Sequence, residues 1–332
     1  MAAAPTNPSD AGPVGPASPR PSDVPLFVLA YDHRSVLRQM LAGDRQLAID
    51  DELLRRTKDV VLDGLLAAID DGLVPPGTRA GLLVDEELGA EAAIRAHERG
   101  IELTMPVERS GAPTFTLDYG PAFLDHLRAF PVDYAKVLVF LNPAGAADRY
   151  QGQIDVMADV LGDIAGNGYK IMLEVIIPPT DDQLASADGD AERFDRELRP
   201  ALVRQTIADC YAAGIRPGLW KLEGLETLAD YEMVAGAVRS ADPAARSLVL
   251  GRGADAQRVL TWVRLAARTP GFSGFAIGRT IWEDALSGWL TGAIDVGAAV
   301  RGIARQYAHY VSHYLDAGLE PAGSDHDLAA WD

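Results

Sequence analysis

The sequence predicts a single (β/α)8 barrel, and three features carry that prediction. First, eight short β-branched and aliphatic runs recur along the chain, nearly continuous in apolar character, as strands buried on both faces are. Second, the runs alternate with amphipathic stretches such as 51–71, 90–99, 153–165 and 200–213. That alternation specifies parallel βα units, and eight of them fit the length of about 250 residues typical of such a barrel. Third, the first run ends in Tyr31-Asp32-His33-Arg34 without a GxGxxG turn, which disfavours the doubly wound sheet as the alternative.

In a barrel of this kind chemistry gathers at the C-terminal ends of the strands, so each run is read for the polar residues at its end. Run 26–32 ends at Asp32, with His33 and Arg34 beyond it. Run 81–87 ends in Asp85, Glu86 and Glu87, and run 101–108 in Glu108, with Arg109 next. Run 134–142 carries Lys136 inside and Asn142 at its end, and run 170–178 carries Glu174. Run 218–224 holds Lys221 and Glu223. The last two runs, 247–253 and 274–282, contribute Gly251-Arg252-Gly253 and Gly278-Arg279. The polar, Asp-rich segment 178–198 after the fifth run is expected to be a mobile loop on the active face.

Residues 25–321 contain no internal linker and are expected to form one domain. The Pro/Ala/Ser-rich segment 1–24 and residues 322–332 are expected to be disordered tails. A net charge of −18 repels nucleic acid and anionic membranes alike, and no apolar run is long enough to span a bilayer. A lone cysteine, Cys210, allows neither a disulfide framework nor a cysteine zinc site, and fits a reducing, cytoplasmic setting. The aromatic positions Tyr307, Tyr310 and Tyr314 mark a packing face on a terminal helix, laid on the barrel or on a second subunit of a homo-oligomer.

Of the 30 basic residues only four are lysines: Lys58, Lys136, Lys170 and Lys221. Three of the four fall in predicted strands, and lysine is almost never buried without a partner or a task. Lys170 begins its strand and is expected at the solvent-facing bottom of the barrel. Lys136 and Lys221 have no such exit. Two nearby amines suit Schiff-base chemistry, one attacking a carbonyl and the other, as a cation, depressing the proton affinity of the first. Glu174, in an otherwise apolar strand, is the expected general acid/base, with its pKa raised by burial. A buried Lys–Glu ion pair that only balances charge is the plainer alternative. The glycines and arginines ending the last two strands, Gly251, Arg252, Gly253, Gly278 and Arg279, suit phosphate, because glycine opens the backbone to it and arginine binds it in bidentate fashion. Pairing of these arginines with acidic loops is the alternative.

No metal is expected. A Mg²⁺-dependent lyase built on Asp85, Glu87 and Glu174 is the competing enzyme reading, and a non-catalytic sugar-phosphate sensor the competing binding reading. Zinc would want clustered histidines, and only His33 lies at a strand end. His309 and His313, four apart, sit on the aromatic terminal helix and read as packing.

Six pieces in order, namely Ala30-Tyr31-Asp32-His33-Arg34, 83–89 (LVDEELG), 135–138 (AKVL), Leu173-Glu174-Val175, Trp220-Lys221-Leu222-Glu223 and 277–282 (IGRTIW), resemble class I tagatose 1,6-bisphosphate aldolases and their sulfosugar-phosphate relatives. They resemble more closely the aldolase-like domain (DUF2090 type) associated with bacterial 5-dehydro-2-deoxygluconokinases of myo-inositol catabolism. The resemblance implies a class I aldolase that needs no cofactor and works through a covalent lysine imine. It implies Lys221 as the Schiff-base lysine, Glu174 as proton shuttle, Lys136 as its assistant and Asp32 as the group acting on the hydroxyl beside the scissile bond. Arg34, Glu87, Gly278 and Arg279 would contribute to binding a phosphorylated sugar. The implied substrate is 6-phospho-5-dehydro-2-deoxy-D-gluconate, cut to dihydroxyacetone phosphate and malonate semialdehyde. Tagatose-bisphosphate or sulfosugar-phosphate cleavage is the alternative. One departure stands out: Gly251-Arg252-Gly253 replaces the Ser-Ala-Gly-type end of the seventh strand in the tagatose enzymes, which would alter how phosphate or sugar is held.

Overall fold

A computed structural model describes residues 24–34, 38 and 50–319 of the chain. Of the segments 1–24 and 322–332, expected above to be tails, all but Val24 lie outside the described residues. Eight parallel strands pair each with the next, and the eighth returns to the first, closing the predicted barrel. They are β1 Leu26–Tyr31, β2 Arg79–Val84, β3 Glu102–Pro106, β4 Tyr134–Phe140, β5 Lys170–Ile176, β6 Leu219–Glu223, β7 Arg246–Leu250 and β8 Phe272–Ile277. The helices are α1 Asp51–Asp70, α2 Glu86–Glu98, α3 Phe123–Arg128, α4 Ala147–Gly166, α5 Asp181–Ser186, α6 Ala191–Glu197, α7 Arg199–Ala212, α8 Leu228–Ala241, α9 Ala256–Ala267, α10 Arg279–Leu290 and α11 Val296–Gly318.

Strand parity positions the site. Successive side chains alternate between the barrel interior and the helix layer. One buried cluster, including Leu26, Val28, Ala30, Leu83, Tyr134, Met172, Leu219 and Leu248, fills the interior, separate from the larger core between strands and helices. Two residues further along the same faces come Asp32 after Ala30, Lys136 after Tyr134, Glu174 after Met172 and Lys221 after Leu219. The charged groups thus form the next layer above an apolar plug. Below the plug, Arg79 Nη2 meets Glu102 Oε2 at 2.5 Å. Lys170 begins β5 as expected and is half-buried, its ammonium 5.4 Å from the centre of the Tyr134 ring.

The barrel closes on a covered seam. Tyr307 donates to the Phe27 carbonyl at 2.7 Å and Tyr314 to the Phe272 carbonyl at 3.1 Å, so the aromatic face of α11 is buried against β1 and β8 of its own chain. Gly274, at φ +122°, lets β8 approach β1 there, where a Cβ would overlap the Leu26 carbonyl.

Two expectations are corrected. The second strand ends at Val84 rather than at Glu87, because the Asp85 side chain accepts from Leu88 N at 2.9 Å and caps α2. The segment 178–198 is not an irregular loop. Thr180 and Gln183 form a capping box that starts α5, Asp190 caps α6, and Phe194 is buried beneath them.

Candidate active site

At the C-terminal mouth of the barrel five strands, β1, β3, β4, β5 and β6, deliver one cluster of amines and carboxylates. Lys136 Nζ lies 2.8 Å from Asp32 Oδ2, 2.5 Å from Glu108 Oε1 and 3.0 Å from Glu174 Oε2. Lys221 Nζ lies 2.9 Å from the same Glu174 Oε2, so a single carboxylate oxygen bridges the two ammonium groups. The four residues placed in catalytic roles by the sequence are therefore brought together, all of them inside the mouth.

Burial and charge oppose one another here. For Lys136, burial alone would lower the pKa, but Asp32, Glu108 and Glu174 around it win and hold it well above the ordinary lysine value. Burial would raise Asp32 and Glu174. Lys136 and Lys221 overcome it and hold both below the usual carboxylate range. The expected upward shift of Glu174 is thus reversed, because two ammonium groups sit on it rather than an apolar wall. Glu108 is the carboxyl that is pushed up, by burial and by the neighbouring Asp32, against the pull of Lys136. Burial lowers His33 to about 4, so its imidazole is neutral at pH 7, edge-on to Trp282 with ring centres 5.6 Å apart.

Two clefts open onto Lys221 and Glu174. One, of about 200 Å³, runs toward β3 and is lined by Asp32, Arg34, Glu108 and the turn 109–116. That turn is a short hairpin, tied by the Glu108–Leu117 bridge and by Arg109 N donating to Thr116 O at 2.8 Å. The other, of about 420 Å³, runs toward β7 and β8 and is lined by Gly251, Arg252, Gly253, Gly278 and Arg279. The two glycine–arginine pieces meet in this second cleft. Arg279 Nη2 donates to the Arg252 carbonyl at 3.3 Å, and its guanidinium lies on Gly253, where a Cβ would overlap it. Gly253 has φ +73°, so the position suits glycine on both counts.

Other expected binding residues are placed less directly. Arg252 Nε lies 2.7 Å from Glu223 and its Nη1 2.7 Å from Asp195 of α6, so this guanidinium holds α6 to the strand ends. Arg34 lines the first cleft but pairs with Asp118 and donates to the Glu108 carbonyl at 2.9 Å. Glu87 lines neither cleft and is exposed on the first turn of α2, with Arg38 at 3.6 Å. Asp85 is consumed by Lys58, 2.6 Å away and fully buried with it. The trio Asp85, Glu87 and Glu174 considered for Mg²⁺ is therefore not gathered at one point.

Two neighbours of the cluster are not marked by the sequence. Glu108 stands in the sequence as a strand-end acid and a candidate Mg²⁺ carboxylate, and nothing in its spacing marks it as a third partner of Lys136. Lys58 lies on α1 rather than on a strand. Its Nζ donates to the carbonyls of Tyr31 at 2.5 Å and His33 at 3.0 Å, pinning the backbone on either side of Asp32. Its position on the apolar stripe Leu54–Lys58–Val61–Leu65 was the available signal.

A profile of the family described as "Uncharacterized protein conserved in bacteria (DUF2090)" matches residues 17–317. The chain is a (β/α)8 barrel, and it belongs to that family, the one its six motifs in order resemble. Among curated proteins none matches. Among solved structures, Cgl0159 from Corynebacterium glutamicum is 20% identical over 88% of each chain with a TM-score of 0.57. A fructose-bisphosphate aldolase from Plasmodium falciparum is 12% identical, covering 89% of this chain and 91% of its own, with a TM-score of 0.63. A fructose-bisphosphate aldolase from Slackia heliotrinireducens is 14% identical over 85% of each chain with a TM-score of 0.51. At these identities the likeness is one of fold. Among the described residues no helix is long and apolar enough to cross a membrane.

Proposed function

We propose that the protein is a class I, Schiff-base aldolase that cleaves a phosphorylated keto sugar. The observation that carries this reading is the shared Glu174 oxygen, which holds two lysine amines side by side at the catalytic end of a barrel. Glu174, kept ionised in the resting site, takes a proton from Lys221 across 2.9 Å. The freed amine attacks the ketone carbon. Glu174 then returns that proton to the carbinolamine hydroxyl, which leaves as water, and the iminium becomes the electron sink. Asp32 accepts the proton of the hydroxyl on the far side of the scissile bond, the C–C bond breaks and its electron pair passes into the enamine. Protonation and hydrolysis release dihydroxyacetone phosphate. Lys136 remains a cation throughout and supplies positive charge beside the reacting carbons.

The two clefts suit the two halves of such a substrate. The ketone half, with its phosphate, is assigned to the Gly278–Arg279 side, and the aldehyde half to the cleft of Asp32 and Glu108. The substrate favoured by the family resemblance is 6-phospho-5-dehydro-2-deoxy-D-gluconate. Its carboxylate end would enter the first cleft, which Arg34 and Arg109 line.

Borohydride trapping tests the reading. Reduction in the presence of dihydroxyacetone phosphate is expected to leave a stable adduct on Lys221, located by peptide mass spectrometry. Lys221→Ala should give no adduct and no turnover while its circular dichroism and melting remain those of a folded barrel. Modification of no lysine, with dihydroxyacetone phosphate demonstrably bound, would reject the Schiff-base mechanism. Relative cleavage of the gluconate, tagatose 1,6-bisphosphate and fructose 1,6-bisphosphate then ranks the substrates.

A further inference from the structure

We propose that the proton taken from the substrate hydroxyl does not rest on Asp32 but passes through Lys136 to Glu108, its terminal acceptor. The proposal rests on the aldolase reading and adds to it a residue and a direction of flow.

The geometry is a three-point contact. Lys136 carries three N–H bonds and faces three carboxylate oxygens, on Asp32 at 2.8 Å, Glu108 at 2.5 Å and Glu174 at 3.0 Å. A proton arriving from Asp32 is matched by one leaving toward Glu108, and the ammonium keeps its charge. The groups that face Glu108 are few. Asp32 approaches from the end of β1, Lys136 from β4 and, beyond that amine, Glu174 from β5. Arg34 contacts the Glu108 carbonyl rather than its carboxylate and is itself held by Asp118, while the next residue, Arg109, is exposed on the hairpin.

The ends of the relay are unequal. Two lysines hold Asp32 far down, which makes it a ready contact for the hydroxyl but a poor resting place for a proton. Burial and the charge of Asp32 push Glu108 up, which makes it the better resting place. Glu108 Oε2 is buried and has no hydrogen-bond partner among the described residues. The carboxyl is therefore free to turn and present its new proton to the cleft that it shares with Asp32.

The step balances without an outside reagent. The hydroxyl O–H and the C–C bond break, the hydroxyl carbon becomes the aldehyde carbonyl, and the C–C electron pair converts iminium to enamine. The proton ends on Glu108, which releases it to water once the aldehyde has left.

Since Glu108 must begin ionised, turnover should fall as pH drops through its raised pKa, giving an acid limb above the ordinary glutamate range. The test compares unmodified protein, Glu108→Gln and Glu108→Asp. Each is assayed for cleavage of the three sugars named above from pH 4 to 9, and for borohydride trapping of dihydroxyacetone phosphate. Glu108→Gln should lose about 10²-fold or more in cleavage, the scale of general acid–base catalysis, together with the acid limb, while still forming the Lys221 adduct. Glu108→Asp should recover part of the rate and an acid limb at a shifted pH. Full cleavage by Glu108→Gln, or a reduced rate that keeps the original acid limb, would overturn the relay alone. No adduct on Lys221 of the unmodified protein, or no cleavage of any of the three sugars, would overturn the aldolase reading and the relay with it.

Discussion

Lys136 shows how one side chain can hold a site together. It is the common partner of two buried carboxyls, Glu108 and Glu174, and of the half-buried Asp32, and its removal leaves them facing one another. Lys136→Met should therefore cost about 3–5 kcal/mol, the usual penalty for orphaning a buried charge, read by urea denaturation at pH 7. The pH dependence has a definite sign. Asp32 and Glu174 are held low, so their contribution is present above the ordinary carboxylate pKa and is lost as pH falls through their folded values. In Lys136→Met only Lys221 is left to hold them, and the carboxyls protonate more readily. The gap between variant and unmodified protein should narrow from pH 7 to pH 5. A gap that widens on acidification would contradict the role assigned to Lys136. Lys58 does comparable work one layer out, fixing the two carbonyls that flank Asp32. Lys58→Met leaves Asp85 buried without its ammonium, and should lower both stability and turnover.

Strand identity was legible because eight apolar runs in alternation with helical stretches permit few other arrangements. The lysine count and the strand-end positions singled out Asp32, Lys136, Glu174 and Lys221, and the structure's inward parity puts them in one layer. Less legible were the features fixed by capping and by tertiary charge. Asp85 reads equally well as the end of a strand or the cap of a helix, and only its bond to Leu88 N decides. Segment 178–198 looked irregular because its helices are short and its acids numerous, yet Thr180, Gln183 and Asp190 are cap residues whose partners lie within three positions. The direction of the Glu174 shift follows the ion-pair alternative rather than burial, since two lysines from neighbouring strands meet at one oxygen, a contact that spacing does not fix. The strand layer also carries its own prediction. At Gly274 the backbone is left-handed and β1 is in contact, so Gly274→Ala should lose about 3 kcal/mol and unfold at lower urea concentration. Gly72, also left-handed but with open space around it, is the control, and Gly72→Ala should cost less.

Closure of the barrel depends on the last helix. α11 lies across the seam between β8 and β1, and its three tyrosines are buried there, two of them bonded to strand carbonyls. A chain ending at Leu290 would expose that seam and the apolar faces beneath it. Such a chain is expected to lose cooperative thermal unfolding and to bind a hydrophobic dye, and a sharp native-like transition would show that the barrel closes without its cover. The whole chain also spends its lysines unusually. Lys58, Lys136 and Lys221 are at most 5% exposed, and the fourth, Lys170, stands half-buried at the opposite end of the barrel. An amine-reactive dye or an activated surface would therefore find, apart from the α-amino group, essentially one side chain to couple. The folded protein could be tethered or labelled by its floor, with the mouth left facing outward.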